Sequence, residues 1–197
     1  VRIMLDCAEQ TILKREALFG WDFWQLRTPI SRHKITKRPY GLDNGCFTSF
    51  RERTWTRMLV EARENKPVFV CLPDIVGDAR RTLELFEQFE TVTEGLPRAL
   101  VLQDGIGALT IPWSKIEAVF VGGTDNFKIS PECTSAVAAA KILNKWIHVG
   151  RINSAARLSN WLGVGDSLDG SGISKIDYRL GDLLSSIKSA DDQHSLL

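Results

Sequence analysis

No two cysteines of the sequence stand at CxxC spacing: Cys7, Cys46, Cys71 and Cys133 occur singly and without an accompanying histidine pattern. That excludes the usual structural zinc frameworks and a disulfide-knit scaffold, and it leads us to expect a reduced, cytoplasmic protein. There is no apolar run of about 18 residues and no charged-then-apolar leader, so neither a membrane span nor a secretory signal is expected. Charge of one sign is lacking too. Lysine and arginine number 25 against 24 aspartates and glutamates, so no global field draws the chain to nucleic acid or membrane, and only a local patch can do so. We find no internal repeat.

What the sequence does have is short apolar runs alternating with helical patterns. With 197 residues and 44% apolar content it can bury one substantial core. Candidate strands are "RIMLD" (2–6), "DFWQL" (22–26), "YGLD" (40–43), "PVFVCL" (67–72), "ALVLQ" (99–103), "AVFVG" (118–122), "KWIHVG" (145–150) and a short one within "VGDSLD" (164–169). In "TWTRMLVEAREN", Trp55, Met58, Leu59 and Ala62 fall on one helical face. Asp78 is placed to cap a helix over about 79–94 that Gly95 and Pro97 end, and Ser130 with Pro131 opens another. Alternation of this kind predicts a single α/β domain over 1–188, a small (β/α)8 TIM-type barrel with some helices shortened or missing, with an open doubly wound sheet as the competing topology. The segment "RTPISRHKITKRP" carries no helical pattern and is expected to be a long loop; residues 189–197 are expected to be a flexible tail.

In either topology the site gathers at the carboxyl ends of the strands. Those ends read Asp43, Asp74, Gln103 with Asp104, the pair Gly122 and Gly123, Arg151, and Asp166 and Asp169 near the last strand. Each alone is an ordinary cap or turn residue; together they make a rim of carboxylates and an amide. Such a rim can accept from ring N–H and amino groups, and an amide adds a donor, which suits a planar heterocycle such as a purine. Several carboxylates in one place also allow one to stay protonated while another is ionised. Arg32, His33, Lys34, Lys37 and Arg38 crowd the loop before Asp43, and Lys128 and Arg151 follow later strand ends; these are the candidate phosphate contacts. Trp21, Trp24 and Phe47 are read as interior aromatics, and His148 as a satisfied interior histidine.

"YGLDNGCFTSF" resembles the "ALDSGGF" signature of the tRNA-guanine transglycosylase-like superfamily, particularly the phage and bacterial branch that inserts 7-deazaguanines into DNA (the DpdA branch). "CLPD", "LVLQDG", "FVGG", "HVGRINSAARL" and "GVGDSLDGSG" follow in the same order, so the resemblance covers roughly 38–175. It implies exchange of guanine in double-stranded DNA for a free 7-deazaguanine base such as 7-cyano-7-deazaguanine, through a covalent aspartyl-deoxyribose intermediate and with no cofactor or metal. It implies Asp43 as the acid/base, Asp74 and Gln103, with Asp104 and Arg151 beside them, as substrate contacts, and Gly122 and Gly123 as the backbone approach. For the nucleophile, "GDS" favours Asp166, whereas the family's "FDS" laid on "LDG" gives Asp169. Asn44 and Cys46 replace a serine and a glycine, and the zinc site of the tRNA-modifying relatives is missing, which fits the DNA branch. The alternatives are the same exchange on tRNA, a catalytically inactive DNA-binding relative, and an unrelated barrel hydrolase. A homodimer or a helper protein is compatible with the chain's small size.

Overall fold

A computed structural model describes the backbone of residues 1–194 and the side chains of residues 1–190. Eight parallel strands close into a barrel in chain order: β1 (Arg2–Leu5), β2 (Trp24–Arg27), β3 (Tyr40–Leu42), β4 (Phe69–Cys71), β5 (Arg98–Leu102), β6 (Ala118–Val121), β7 (Trp146–Val149) and β8 (Ser167–Asp169). Closure is made by β8 against β1, with Met4 opposite Asp169. All eight expected strands are present, and the open sheet is excluded because both edges pair. The helices are α1 (Glu9–Phe19), α2 (Glu52–Glu64), α3 (Ala79–Phe89), α4 (Asp125–Lys128), α5 (Pro131–Ile142), α6 (Ala155–Leu158), α7 (Ser171–Lys175) and α8 (Asp177–His194).

Successive side chains of a strand point to opposite faces, and the two cores divide accordingly. Met4, Leu26, Phe69, Cys71, Ala99, Val101 and Ala118 fill the barrel. Ile3, Leu42, Val70, Leu100, Val119, Ile147 and Leu168 face the other way and pack with the helices, including the buried Trp55, Met58, Leu59 and Ala62 of α2. The helix starts follow their capping residues: the Asp78 carboxylate accepts from the Arg81 N–H (3.0 Å) and the Ser130 hydroxyl from the Cys133 N–H (3.2 Å). Helix α3 is shorter than expected. It stops at Phe89 and continues as one 3-10 turn over Thr91–Thr93 before Gly95.

Two crossovers lack a regular helix. Between β5 and β6 the chain makes only 3-10 turns at Ile106–Ala108 and Trp113–Lys115. Between β2 and β3 it runs as the expected loop, and here β2 shows why no helix is needed. Its outward positions are Gln25 and Arg27, both buried and polar. The Gln25 amide donates to the Lys34 carbonyl (2.9 Å) and accepts from the Thr36 N–H (3.3 Å); the Arg27 guanidinium donates to the His33 carbonyl (2.8 Å) and pairs with Glu61 (2.9 Å). Backbone of the loop therefore stands where most of the other crossovers place an apolar helix. At the other end of the chain the tail expected from 189 is instead helical to His194: the buried Leu180, Leu183, Leu184 and Ile187 anchor α8, and its polar end propagates the same turns. Residues 195–197 of that expected tail lie outside the described residues. Among the described residues no helix is long and apolar enough to cross a membrane.

Candidate active site

A cavity of about 250 Å³ opens at the carboxyl ends of the strands. Asp6, Asp43, Asp74 and Asp169 line it, with Gln103, Gly122, Gly123 and Arg151, and its walls are the apolar Leu26, Val101 and Phe120. It is a polar ring set on an apolar floor, of a size for one planar heterocycle.

Asp43 directly follows β3, where its N–H donates to the Arg27 carbonyl (2.8 Å) and so extends the ladder by one residue. Burial, and then the neighbouring Asp169 and Asp74 charges, push its carboxyl up from 3.8 to about 7. Asp74 follows β4 and is held from both sides: Asn44 donates to its Oδ1 (2.7 Å) and Gln103 to its Oδ2 (2.6 Å). Burial raises its pKa, and those donors oppose the rise. Asn44 also donates to the Leu72 carbonyl (2.6 Å) and accepts from the Cys46 N–H (2.7 Å), so it welds the β3 and β4 ends together. Asn44 is therefore a bracket for Asp74.

Asp169 ends β8. Its Oδ1 lies 3.2 Å from His148 Nε2 and accepts from the Arg151 N–H (3.3 Å). His148 is the interior histidine expected, seated between the Phe69 and Phe120 rings (4.8 and 4.7 Å between centroids). Arg151, with φ of 63°, turns its guanidinium back to the Gly123 carbonyl and over the Phe47 ring (4.6 Å).

Several expectations are corrected. Asp166 is not in the cavity. It precedes β8 at the barrel's opposite mouth, where its Oδ2 accepts from the Ile147 N–H (2.8 Å). Three residues of extended chain, roughly 10 Å, separate it from Asp169, so only Asp169 reaches the site. Asp104 is also outside, stapled to the Thr124 N–H (2.9 Å) and hydroxyl (2.6 Å). Gln103 lines the cavity but is largely spent: its Oε1 accepts from both the Gly77 and Gly123 N–H groups (2.9 Å each) and its Nε2 donates to Asp74, leaving one N–H. Gly123 likewise has its N–H and carbonyl in use, by Gln103 and Arg151. Its φ of 62° favours glycine, and a side chain there would strike Phe127; one at Gly122 would strike Val101 and Gln103. The pair therefore makes a turn that admits Gln103, and its N–H groups are not open to a base, since that of Gly122 is bonded to the Leu102 carbonyl (3.1 Å).

Among the cations, Arg32, Lys34 and Lys37 are exposed, on a loop whose Thr28 and Ile30 line the cavity. Arg38 is not free: it pairs with Glu16 (2.5 Å) and Glu9 (3.4 Å) of α1. His33 faces inward, 3.8 Å from Asp6. Lys128 is buried, bonded to the Gly150 carbonyl, and lowered by burial to about 8, so it is a strut and no phosphate contact. Phe47, which the sequence places inside, is 64% exposed at the cavity edge, because the Gly45–Thr48 turn carries it outward.

Asp6, absent from the strand ends that the sequence singles out, lines the cavity beside Asp169's neighbour Met4. It accepts from the Ser31 hydroxyl, its N–H donates to the Ser174 hydroxyl (3.1 Å), and burial raises its pKa. The signal is there to be found, since "RIMLD" ends on aspartate as "YGLD" does. Among the described residues no three His, Cys, Asp or Glu side chains converge as a metal site.

No family model matches the chain, and no curated protein matches it. Among solved structures, the Bacillus subtilis YkuI protein, which has an EAL domain and was crystallised with c-di-GMP and calcium, is 10% identical with a TM-score of 0.42, over 82% of this chain and 46% of that one. The present chain thus spans less than half the length of that neighbour.

Proposed function

We propose that the chain is a base-exchange transglycosylase that replaces guanine in DNA with a 7-deazaguanine, by way of a covalent intermediate on Asp169. The observation that carries this reading is the pair of unlike carboxylates in one cavity: Asp43, raised to about 7, and Asp169, set against His148 Nε2 and the Arg151 N–H. A carboxyl near 7 can both give and take a proton at neutral pH, and a second carboxylate beside it can act as a nucleophile.

In the first half-reaction an Asp169 oxygen attacks C1′ of the extruded nucleotide. The glycosidic electron pair leaves with guanine, and the Asp43 carboxyl supplies the proton that the departing ring nitrogen needs. In the second, the Asp43 carboxylate removes the ring N–H proton of the incoming deazaguanine, whose nitrogen attacks C1′ and releases Asp169. Asp43 ends protonated, as it began, and configuration at C1′ is retained by the two inversions. Asp74, bracketed by Asn44 and Gln103, keeps lone pairs for the N–H and amino edge shared by guanine and its 7-deaza analogues. Arg32, Lys34 and Lys37 supply charge for the flanking phosphates while the target nucleotide is turned out of the stack.

Incubation with duplex DNA and labelled 7-cyano-7-deazaguanine tests the reading. Label in DNA with release of free guanine, lost in Asp43→Ala and Asp169→Ala, is expected. The same exchange on tRNA is the alternative, separated by offering both polymers; incorporation into neither, at any pH from 5 to 9, overturns the proposal.

A further inference from the structure

A line of hydrogen bonds runs up the barrel interior beneath Asp169. Trp146 Nε1 donates to Ser167 Oγ (2.8 Å), Ser167 Oγ lies 2.8 Å from His148 Nδ1, and His148 Nε2 lies 3.2 Å from Asp169 Oδ1. The carboxylate end sets the direction of the chain: a carboxylate oxygen accepts and a neutral imidazole carries a single hydrogen, so the ring nitrogen that faces Asp169, Nε2, is the one that bears it. Nδ1 is then bare and accepts from the Ser167 hydroxyl, whose oxygen in turn accepts from the indole N–H. The base of the chain is itself held: Trp146 stacks on Trp24 (5.7 Å, 14° between planes), and Arg2 lies over Trp24 (5.5 Å).

We infer that His148 is a positioning residue, locked as the Nε2–H tautomer, which selects the oxygen of Asp169 that reacts. Both donors to this carboxylate, His148 Nε2–H and the Arg151 N–H, go to Oδ1. Oδ2 receives neither and is the oxygen left to attack C1′. This inference rests on the proposed exchange for its chemical consequence, but the tautomer stands on geometry alone. In the covalent ester Oδ2 would bond to C1′ and Oδ1 would be the carbonyl oxygen. When the incoming base displaces Asp169, the electron pair of the C1′–Oδ2 bond returns to the carboxylate, and charge reappears on Oδ1 in front of two fixed donors. The same pair of N–H groups thus stabilises the leaving carboxylate without moving, as preorganised donors do in acyl transfer. Packing between the Phe69 and Phe120 rings keeps the imidazole from rotating away.

Two measurements decide this separately from the reaction. Nitrogen-15 spectra at pH 8, with the His148 signals assigned by their loss in His148→Gln, are expected to show a protonated Nε2 and a bare Nδ1; Ser167→Ala and Asp169→Ala, which each remove one partner, are expected to give a mixture of tautomers. A wild-type Nδ1–H tautomer overturns the inference whether or not any exchange occurs. Where exchange is observed, His148→Leu is expected to lower kcat about 100-fold, the cost of a misplaced reacting group, with KM for the free base nearly unchanged. His148→Gln, which keeps a donor at the same reach, is expected to recover to within about tenfold of wild type. Equal kcat in His148→Leu and wild type also overturns the inference, and a folded His148→Gln protein guards against a packing artefact.

Discussion

Asp43 follows β3 and Asp169 ends β8, strands that stand apart in the barrel, yet their carboxylates share one cavity, and the Asp169 charge is second only to burial in raising Asp43. The coupling can be read directly. In Asp169→Asn the Asp43 pKa is expected to fall below about 7 but to stay above 3.8, because burial, the larger cause, remains. Carbon-13 titration of the Asp43 carboxyl checks this, and an unchanged pKa would show that the two do not face each other.

The raised Asp43 pKa also has a thermodynamic sign. Asp43 holds its proton more tightly folded than unfolded, so between pH 3.8 and about 7 the native state binds more protons and stability is lost as pH rises through that window. A tenfold difference in proton affinity between the two states corresponds to about 1.4 kcal/mol, and with solvent reaching the cavity we expect roughly 2 kcal/mol in total. Asp43→Asn should therefore unfold at a higher temperature than wild type at pH 8 and at the same temperature near pH 3.5, as thermal melts would record.

Asp166 and Asp169 separate cleanly by substitution. Asp169→Asn is expected to abolish exchange, by a factor of at least about 1000, with little change in stability. Asp166→Ala should lower stability by about 1 kcal/mol through the bond to the Ile147 N–H, and leave exchange intact. Denaturant melts beside turnover assays compare the two.

Asn44→Ala removes two donors at once, leaving the Leu72 carbonyl and one Asp74 oxygen short of a partner. A loss of about 2 kcal/mol in unfolding free energy is expected, with weaker binding of the free base measured by calorimetry.

Arg32→Glu with Lys34→Glu should weaken duplex binding at every DNA sequence and reduce the slope of log affinity against log salt by about 2, if each meets one phosphate. Arg38→Glu should instead destabilise the protein, since it loses Glu16 and Glu9, and change the salt slope little.

Much of the fold was legible because it is written locally. Apolar runs bounded by turn residues mark all eight strands, and reading their last residues located Asp43, Asp74, Gln103, Arg151 and Asp169. What failed was whatever depends on direction across the barrel. "GVGDSLDG" offers two aspartates three residues apart, and which one faces the cavity depends on where β8 starts, which is set by its pairing with β1 and β7. Gln103 and Lys128 lie near strand ends, as the sequence predicts, but tertiary hydrogen bonds consume their polar groups. Phe47 shows the opposite error: an aromatic in a short α/β chain reads as filling, and only the turn geometry exposes it.

The wall over β2 has a consequence of its own. A sector fastened chiefly by the amide of Gln25 and the guanidinium of Arg27, with Ile35 as its apolar anchor, is expected to open locally at lower cost than the helix-covered strands. Hydrogen exchange at Thr36, on the side where the exposed cations sit, should then be quick where that at Val119 is slow.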